Sequence, residues 1–186
     1  DLGRPEETEN ILWVDNDNFK SSFELNDKII KRGKKKIVFI GGRPHWNVTK
    51  DRLNGYKMAH EVNGINFSKE NVLIGEDCCE ETGYKLISNY LKKKNKFDAV
   101  FTTDDVLAIG VMKKLKEEKV EGITVTGFND IPLATYQTPT LSSVNIKAQE
   151  LGYWATKLLI DSLEGISNPN KHFIVDCEFI NRDSFY

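Results

Sequence analysis

The chain has 186 residues, 39% of them hydrophobic and 29% charged, with a formal net charge of -2. That length buries a sizeable core in one domain or one and a half, and no run approaches the roughly 18 consecutive apolar residues of a membrane span. A near-neutral balance gives no general attraction for polyanions. Three cysteines, with Cys78 and Cys79 adjacent and Cys177 far away, make neither a disulfide framework nor a metal-ligand spacing, which fits a reducing cytoplasm.

Asp1 to Asn10 are polar, with no charged start followed by an apolar run, so no secretion signal is visible; without an initiator methionine the chain reads as cut from something longer. Ile11 to Val14 is the first strand, and Asp15-Asn16-Asp17-Asn18 offers several caps for a helix over Phe19 to Arg32, stopped by Gly33. A second strand, Ile37 to Ile40, runs into Gly41-Gly42. Thr49 or Asp51 then caps a helix carrying Leu53, Tyr56 and Val62. Val72 to Ile74, then a helix with Tyr84, Ile87 and Leu91, forms the third unit, and Phe97 to Thr102 followed by Leu107, Val111 and Leu115 at helical spacing forms the fourth. A fifth strand is Ile123 to Thr126. Strands separated by helices of this length imply βαβ crossovers, so the fold class is α/β, a parallel sheet with helices on both faces.

Beyond Phe128 the rhythm changes. A loop with Pro132 and Pro139 leads to a strongly apolar helix over Lys147 to Leu163, whose Leu151, Trp154, Leu158 and Leu159 need a partner. Asn168-Pro169-Asn170 makes a turn, and Phe173 to Ile180 reads as one last strand. The runs Lys34 to Lys36 and Lys92 to Lys94 can be nucleic-acid patches. Each follows or ends a predicted helix, where cations complement the negative dipole end and stay solvated, and this second reading is adopted.

In open parallel sheets ligands bind outside the carboxyl ends of strands. Three polar stretches fall there: Gly41 to Arg52, Thr102 to Asp105, and Asn129-Asp130. Arg52 carries five fixed donors able to grip hydroxyls or a carboxylate, the alternative being a solvent-facing arginine early in a helix. Asp104 and Asp105 invite binding roles or helix capping, and Asn129 and Asp130 invite binding or a turn. Trp46 in its Gly/Pro loop can stack on a sugar ring or anchor the loop. His45, His60 and His172 are isolated, so no metal is expected. No nucleophile elbow, phosphate loop or dinucleotide fingerprint is present, and adjacent Asp104 and Asp105 point apart; neither catalysis nor a cofactor is expected.

Six phrases in order carry a resemblance: Trp13 to Asn18, Ile37 to Gly42, Asp51 to Tyr56, Thr103 to Gly110, Gly127 to Ile131, and Leu141 to Val144. Together they resemble the LacI family of transcription regulators over nearly the whole chain. The opening phrase and Val48 to Arg52 look most like maltose-operon repressors of Gram-positive bacteria. The resemblance implies a periplasmic-binding-protein-like fold of two lobes joined by three crossovers, with a sugar effector between them. It places residues 1–16 at the end of the first lobe and a crossover, 17–128 in the second lobe, 129–145 in a crossover and loop, 146–164 in a helix returning to the first lobe, and 165–186 in a terminal turn and strand.

It also implies effector contacts at Arg52, Asp104 and Asn129, with Trp46 as a stacking candidate. Asn129 stands where many members carry aspartate, Cys78 where an aromatic often stacks, and Ile146 where some members place a polar contact. The implied partners are a sugar, operator DNA through a head outside this chain, and a second copy meeting it through Ile109, Leu133 and Tyr136. Alternatives of similar fold are an extracytoplasmic sugar-binding transport protein and a doubly wound sugar or nucleotide enzyme.

Overall fold

A computed structural model describes residues 3–5, 11–166 and 171–186. Its larger sheet has six strands in the order β3-β2-β4-β5-β6-β8. These are β2 (Ile37–Gly41), β3 (Val72–Ile74), β4 (Ala99–Thr102), β5 (Thr124–Asn129), β6 (Ser142–Asn145) and β8 (Glu178–Ile180). All neighbours are parallel except β8, which runs antiparallel to β6. A second sheet pairs β1 (Trp13–Asn16) in parallel with β7 (His172–Val175). The helices are α1 (Asn18–Lys31), α2 (Asn47–Val62), α3 (Glu80–Lys92), α4 (Asp105–Glu117) and α5 (Ala148–Leu163). No helix among the described residues is long and apolar enough to cross a membrane.

Successive strand residues point to opposite faces, which is why the central strands are apolar throughout. Ile37 and Phe39 of β2 join Leu25, Ile29, Tyr56 and Ala59 of α1 and α2 in one core. Val38 and Ile40 face the other way, onto Ile87, Tyr90, Leu107 and Val111 of α3 and α4. The expected helices on both faces are therefore present, each burying side chains worth roughly 1.5 to 3 kcal/mol apiece. The paired helices cross very closely. A Cβ on Gly110 of α4 would lie 2.0 Å from the Glu80 carbonyl oxygen, so the α3–α4 contact is made backbone to backbone.

The structure differs from the sequence expectation at three places, the first because period-2 apolarity does not reveal which sheet a strand joins. Phe173 to Ile180, read as one strand, is two. His172–Val175 pairs with β1, Asp176 and Cys177 carry the chain across, and Glu178–Ile180 pairs with β6 in the other sheet. The stretch 129–145, read as crossover and loop, contains a 3-10 turn (Pro132–Tyr136) and the internal strand β6. The first strand runs to Asn16 rather than stopping at Val14. The turn expected at Asn168-Pro169-Asn170 lies outside the described residues.

Among the described residues the chain passes between the two sheets three times, near Asn16, Ile146 and Val175. One buried side chain ties all three. Asn16 Nδ2 donates to the Ile146 carbonyl at 3.1 Å and to the Val175 carbonyl at 2.9 Å. Beyond this tie, α5 packs on the small sheet: Leu158 is buried with Val14 and Val175, and Trp154 stacks on Phe173 at 4.0 Å. The small sheet is thus the partner of Trp154 and Leu158. Tyr153, Leu159, Ile160 and Leu163 remain exposed.

Candidate functional site

Strand order reverses at β2, since β3 lies on one side of it and β4 on the other. A crevice at the carboxyl ends of the strands beside such a reversal is the place where ligands enter open α/β sheets. Arg52, Asp104 and Asn129 all come to this end. Arg52, one turn into α2, is 4% exposed and no solvent-facing arginine. Its guanidinium lies 3.5 Å from the centroid of the Phe128 ring. Nε and Nη2 donate to Asn18 Oδ1 at 3.0 and 2.8 Å, and Nη1 donates to the Thr103 carbonyl at 2.6 Å. Three bonds engage part of a five-donor fork, which leaves N–H groups for a bound oxygen. Burial pulls the Arg52 pKa down to about 10, against the opposing pull of Cys177, Asp104, Asp15 and Asp105. It remains a full cation at neutral pH.

Asp104 caps α4 and still turns its second oxygen to Asn129. One oxygen caps α4 by accepting from Val106 N at 2.7 Å, and the other accepts from Asn129 Nδ2 at 2.8 Å. Burial raises its pKa, opposed by these bonds and by Arg52. Asn129 closes β5 at φ 104 and Asp130 follows at φ 53, a left-handed pair that Asn and Asp tolerate better than most residues. Asn129 therefore makes the turn and also bonds Asp104. Asp105 points away, as expected of an adjacent carboxylate: fully buried, it accepts from Ser143 Oγ at 2.6 Å and Ile131 N at 2.9 Å. Asp130 is held by Arg182 Nη2 at 2.6 Å and Asn145 Nδ2 at 2.8 Å.

Trp46 stands apart from this cluster. It precedes α2, is 43% exposed, and carries the Arg43 guanidinium over its ring at 4.3 Å. Cys78 is half-buried, with Sγ against Gly42; a Cβ there would meet it at 2.8 Å. Ile146 packs against the α1–α2 core. Leu133 and Tyr136 project from the 3-10 turn at 55% and 79% exposure, while Ile109 on α4 is half-buried.

Several site residues escaped sequence reasoning. In the Asp15 to Asn18 run, Asp17 is the helix cap, accepting from Lys20 N, whereas Asn18 is the acceptor that orients Arg52. Phe128, which reads as core, also supplies the flat surface beneath the guanidinium. Arg4 escaped as well. Its backbone N–H donates to Asp15 Oδ2 and its Nη2 to Asp51 Oδ2 at 2.6 Å. Together with Asn16, Asn18 and Phe19, these residues line a polar cavity of about 210 Å³ at the first crossover. No sequence signal pairs Arg4 with an aspartate 47 positions away. No group of three or more acidic, His or Cys side chains among the described residues is arranged to hold a metal ion.

Residues 27–185 match the model of the periplasmic binding protein-like domain. The HTH-type transcriptional regulator MalR of Streptococcus pneumoniae is 32% identical over 166 residues, covering 87% of this chain and 47% of that protein. The HTH-type transcriptional regulator AscG of Escherichia coli is 33% identical over 177 residues, covering 93% of this chain and 51% of that protein. Among solved structures, a sugar-binding transcriptional regulator of the LacI family from Escherichia coli, complexed with phosphate, superposes with a TM-score of 0.88 at 32% identity. That match covers 98% of this chain and 66% of the other. The chain spans about half the length of the curated relatives it matches.

Proposed function

Because this chain belongs to the periplasmic binding protein-like domain family, on the branch of LacI-type transcription regulators, we propose that it is the effector-binding part of a sugar-responsive repressor. The observation that carries this reading is the buried Arg52, flat on Phe128 and fixed by Asn18 and Thr103, with N–H groups left for hydroxyls at the carboxyl ends of the strands. Asp104 and Asn129, already bonded to each other, complete a set of donors and acceptors. Such a set suits the hydroxyls of a polyol. Relatives named as transcriptional regulators support the same view.

The three crossovers tied at Asn16 are the natural pivot for lobe closure. A helix-turn-helix head outside these 186 residues would read that closure at an operator. Coupling of this kind is reciprocal, so a sugar that changes operator affinity must itself bind differently when DNA is present. Calorimetry with glucose, maltose, maltotriose and cellobiose on the protein that carries this chain tests the site. Arg52→Ala and Asp104→Ala should each lose about 1.5 to 3 kcal/mol of binding, roughly ten- to 150-fold. Wild-type affinity in both refutes the assignment.

Self-association belongs to the same proposal. Leu133 and Tyr136 expose apolar surface, Ile109 on α4 is half-buried, and symmetric dimers suit operators with two half-sites. Sedimentation should show a dimer that Tyr136→Asp and Ile109→Asp dissociate; a dimer indifferent to both moves the interface elsewhere.

A further inference from the structure

The two lysine runs are distant in sequence and neighbours in space. Lys34 to Lys36 immediately precede β2 and Lys92 to Lys96 precede β4, and β2 and β4 are paired. Asp98 fastens the turns together. Its carboxylate accepts from the backbone N–H of Lys35 at 3.1 Å and of Lys36 at 2.7 Å, while its own N–H donates to the Lys36 carbonyl at 3.0 Å. The result is seven lysines on adjoining turns, with no acidic residue within either run. All but Lys34 are exposed, and Lys34 Nζ donates to the Gly122 carbonyl in the next turn.

That next turn, before β5, is balanced and adds no net charge, since Lys114, Lys116 and Lys119 are matched by Glu117, Glu118 and Glu121. Its acids are partly occupied: Glu117 accepts from Tyr84 Oη at 2.6 Å and Glu118 from Lys114 Nζ at 2.6 Å. On the far side, the turn before β3 contributes Lys69 and Glu70, which balance. A chain of net charge -2 thus carries one strongly cationic pole, at the end of the sheet opposite Arg52.

We propose that this pole is a sequence-independent contact for the phosphate backbone of duplex DNA. Lysine ammoniums are point charges that neutralise phosphates without reading bases, and a duplex presents one charge per roughly 1.7 Å of its axis. Neither run presents a free arginine fork or an exposed aromatic: the nearby Arg32 is engaged by Phe185, and Phe97, just after the second run, packs edge-on against Tyr90. Those absent features are the anchors that protein partners favour. The contact is separate from the sugar cleft and goes beyond the effector-binding reading: it holds duplex DNA near the second lobe without any helix-turn-helix.

Fluorescence anisotropy of a labelled 20-base-pair duplex of arbitrary sequence, titrated with this chain at rising salt, tests it. About four phosphate contacts predict a log K against log salt slope of about -3.6. The triple variant Lys35→Glu, Lys93→Glu, Lys94→Glu should weaken binding at least 30-fold at 50 mM salt. Lys20→Glu, Lys85→Glu, Lys157→Glu changes net charge equally elsewhere and should weaken it less than threefold. Scrambling the duplex should change nothing. The proposal is overturned by absent binding at 50 mM salt, by equal losses in the two triple variants, or by polyglutamate competing as well as unlabelled duplex, which would indicate an acidic protein partner.

Discussion

Replacing Asp105 by Asn should remove a specific part of the pH dependence of folding. Asp105 is fully buried between Ser143 Oγ and Ile131 N, and a Cβ on Gly127 would lie 2.0 Å from its Oδ1, so no water-sized gap exists on that side. Burial drives its pKa from 3.8 up to about 6. Repulsion from Asp104 and Asp130 adds to the rise, and the two hydrogen bonds oppose it. Between those two pH values the folded chain binds more protons here than the unfolded chain does. The group's contribution to stability is therefore complete below pH 3.8, declines as pH rises, and is gone above about 6. At 1.36 kcal/mol per pKa unit the loss is about 3 kcal/mol.

Asn keeps the shape of the carboxylate: Oδ1 still accepts from Ile131 N, and Nδ2 donates to Ser143 Oγ, with no proton to titrate. Urea melts of wild type and Asp105→Asn at half-unit steps from about pH 4 to 7.5 measure the difference, provided the slopes m agree. The variant's advantage should grow by about 3 kcal/mol across that range. Parallel curves, or a gap that narrows as pH rises, would refute the reasoning.

The same glycine-to-alanine change should have opposite signs in two helices. Gly110→Ala drives a Cβ to 2.0 Å from the Glu80 carbonyl and 2.8 Å from Tyr84 N, backbone atoms that cannot swing aside; overpacking of about 1 to 3 kcal/mol exceeds the roughly 0.5 to 1 kcal/mol gained in helix propensity, so Tm falls. Gly152→Ala in α5 meets nothing within 4 Å and should raise stability by about 0.5 to 1 kcal/mol. Hydrogen exchange should show α5 amides less protected than those of Leu107 to Leu115 by a factor of at least about 100, because only one face of α5 is covered. Equal protection in a verified monomer would contradict this.

Sequence alone fixed the α/β class, because βαβ crossovers admit few arrangements and the apolar periods were clear from Ile37 to Thr126. It also marked the polar stretches that hold Arg52, Asp104-Asp105 and Asn129-Asp130, since residues just after strand ends fall where an open sheet binds ligands, and the family resemblance then singled out Arg52, Asp104 and Asn129. Local chemistry carries that much. What it could not decide depends on pairing between distant segments. Asn18 looked like one cap among several until Arg52, 34 positions on, was seen bonded to it. Asp105 looked equivalent to Asp104 until Ser143, 38 positions on, was seen to claim it.

The last apolar run looked like one strand because both of its halves alternate, yet they serve two sheets. The lysine runs looked like solvated helix ends because each is one, taken singly. Only parallel pairing of β2 with β4 sets them side by side, and only then does their charge add. Periodicity records which face a residue presents, whereas the partner of that face is fixed by long-range closure of the chain, for which a local pattern holds no information.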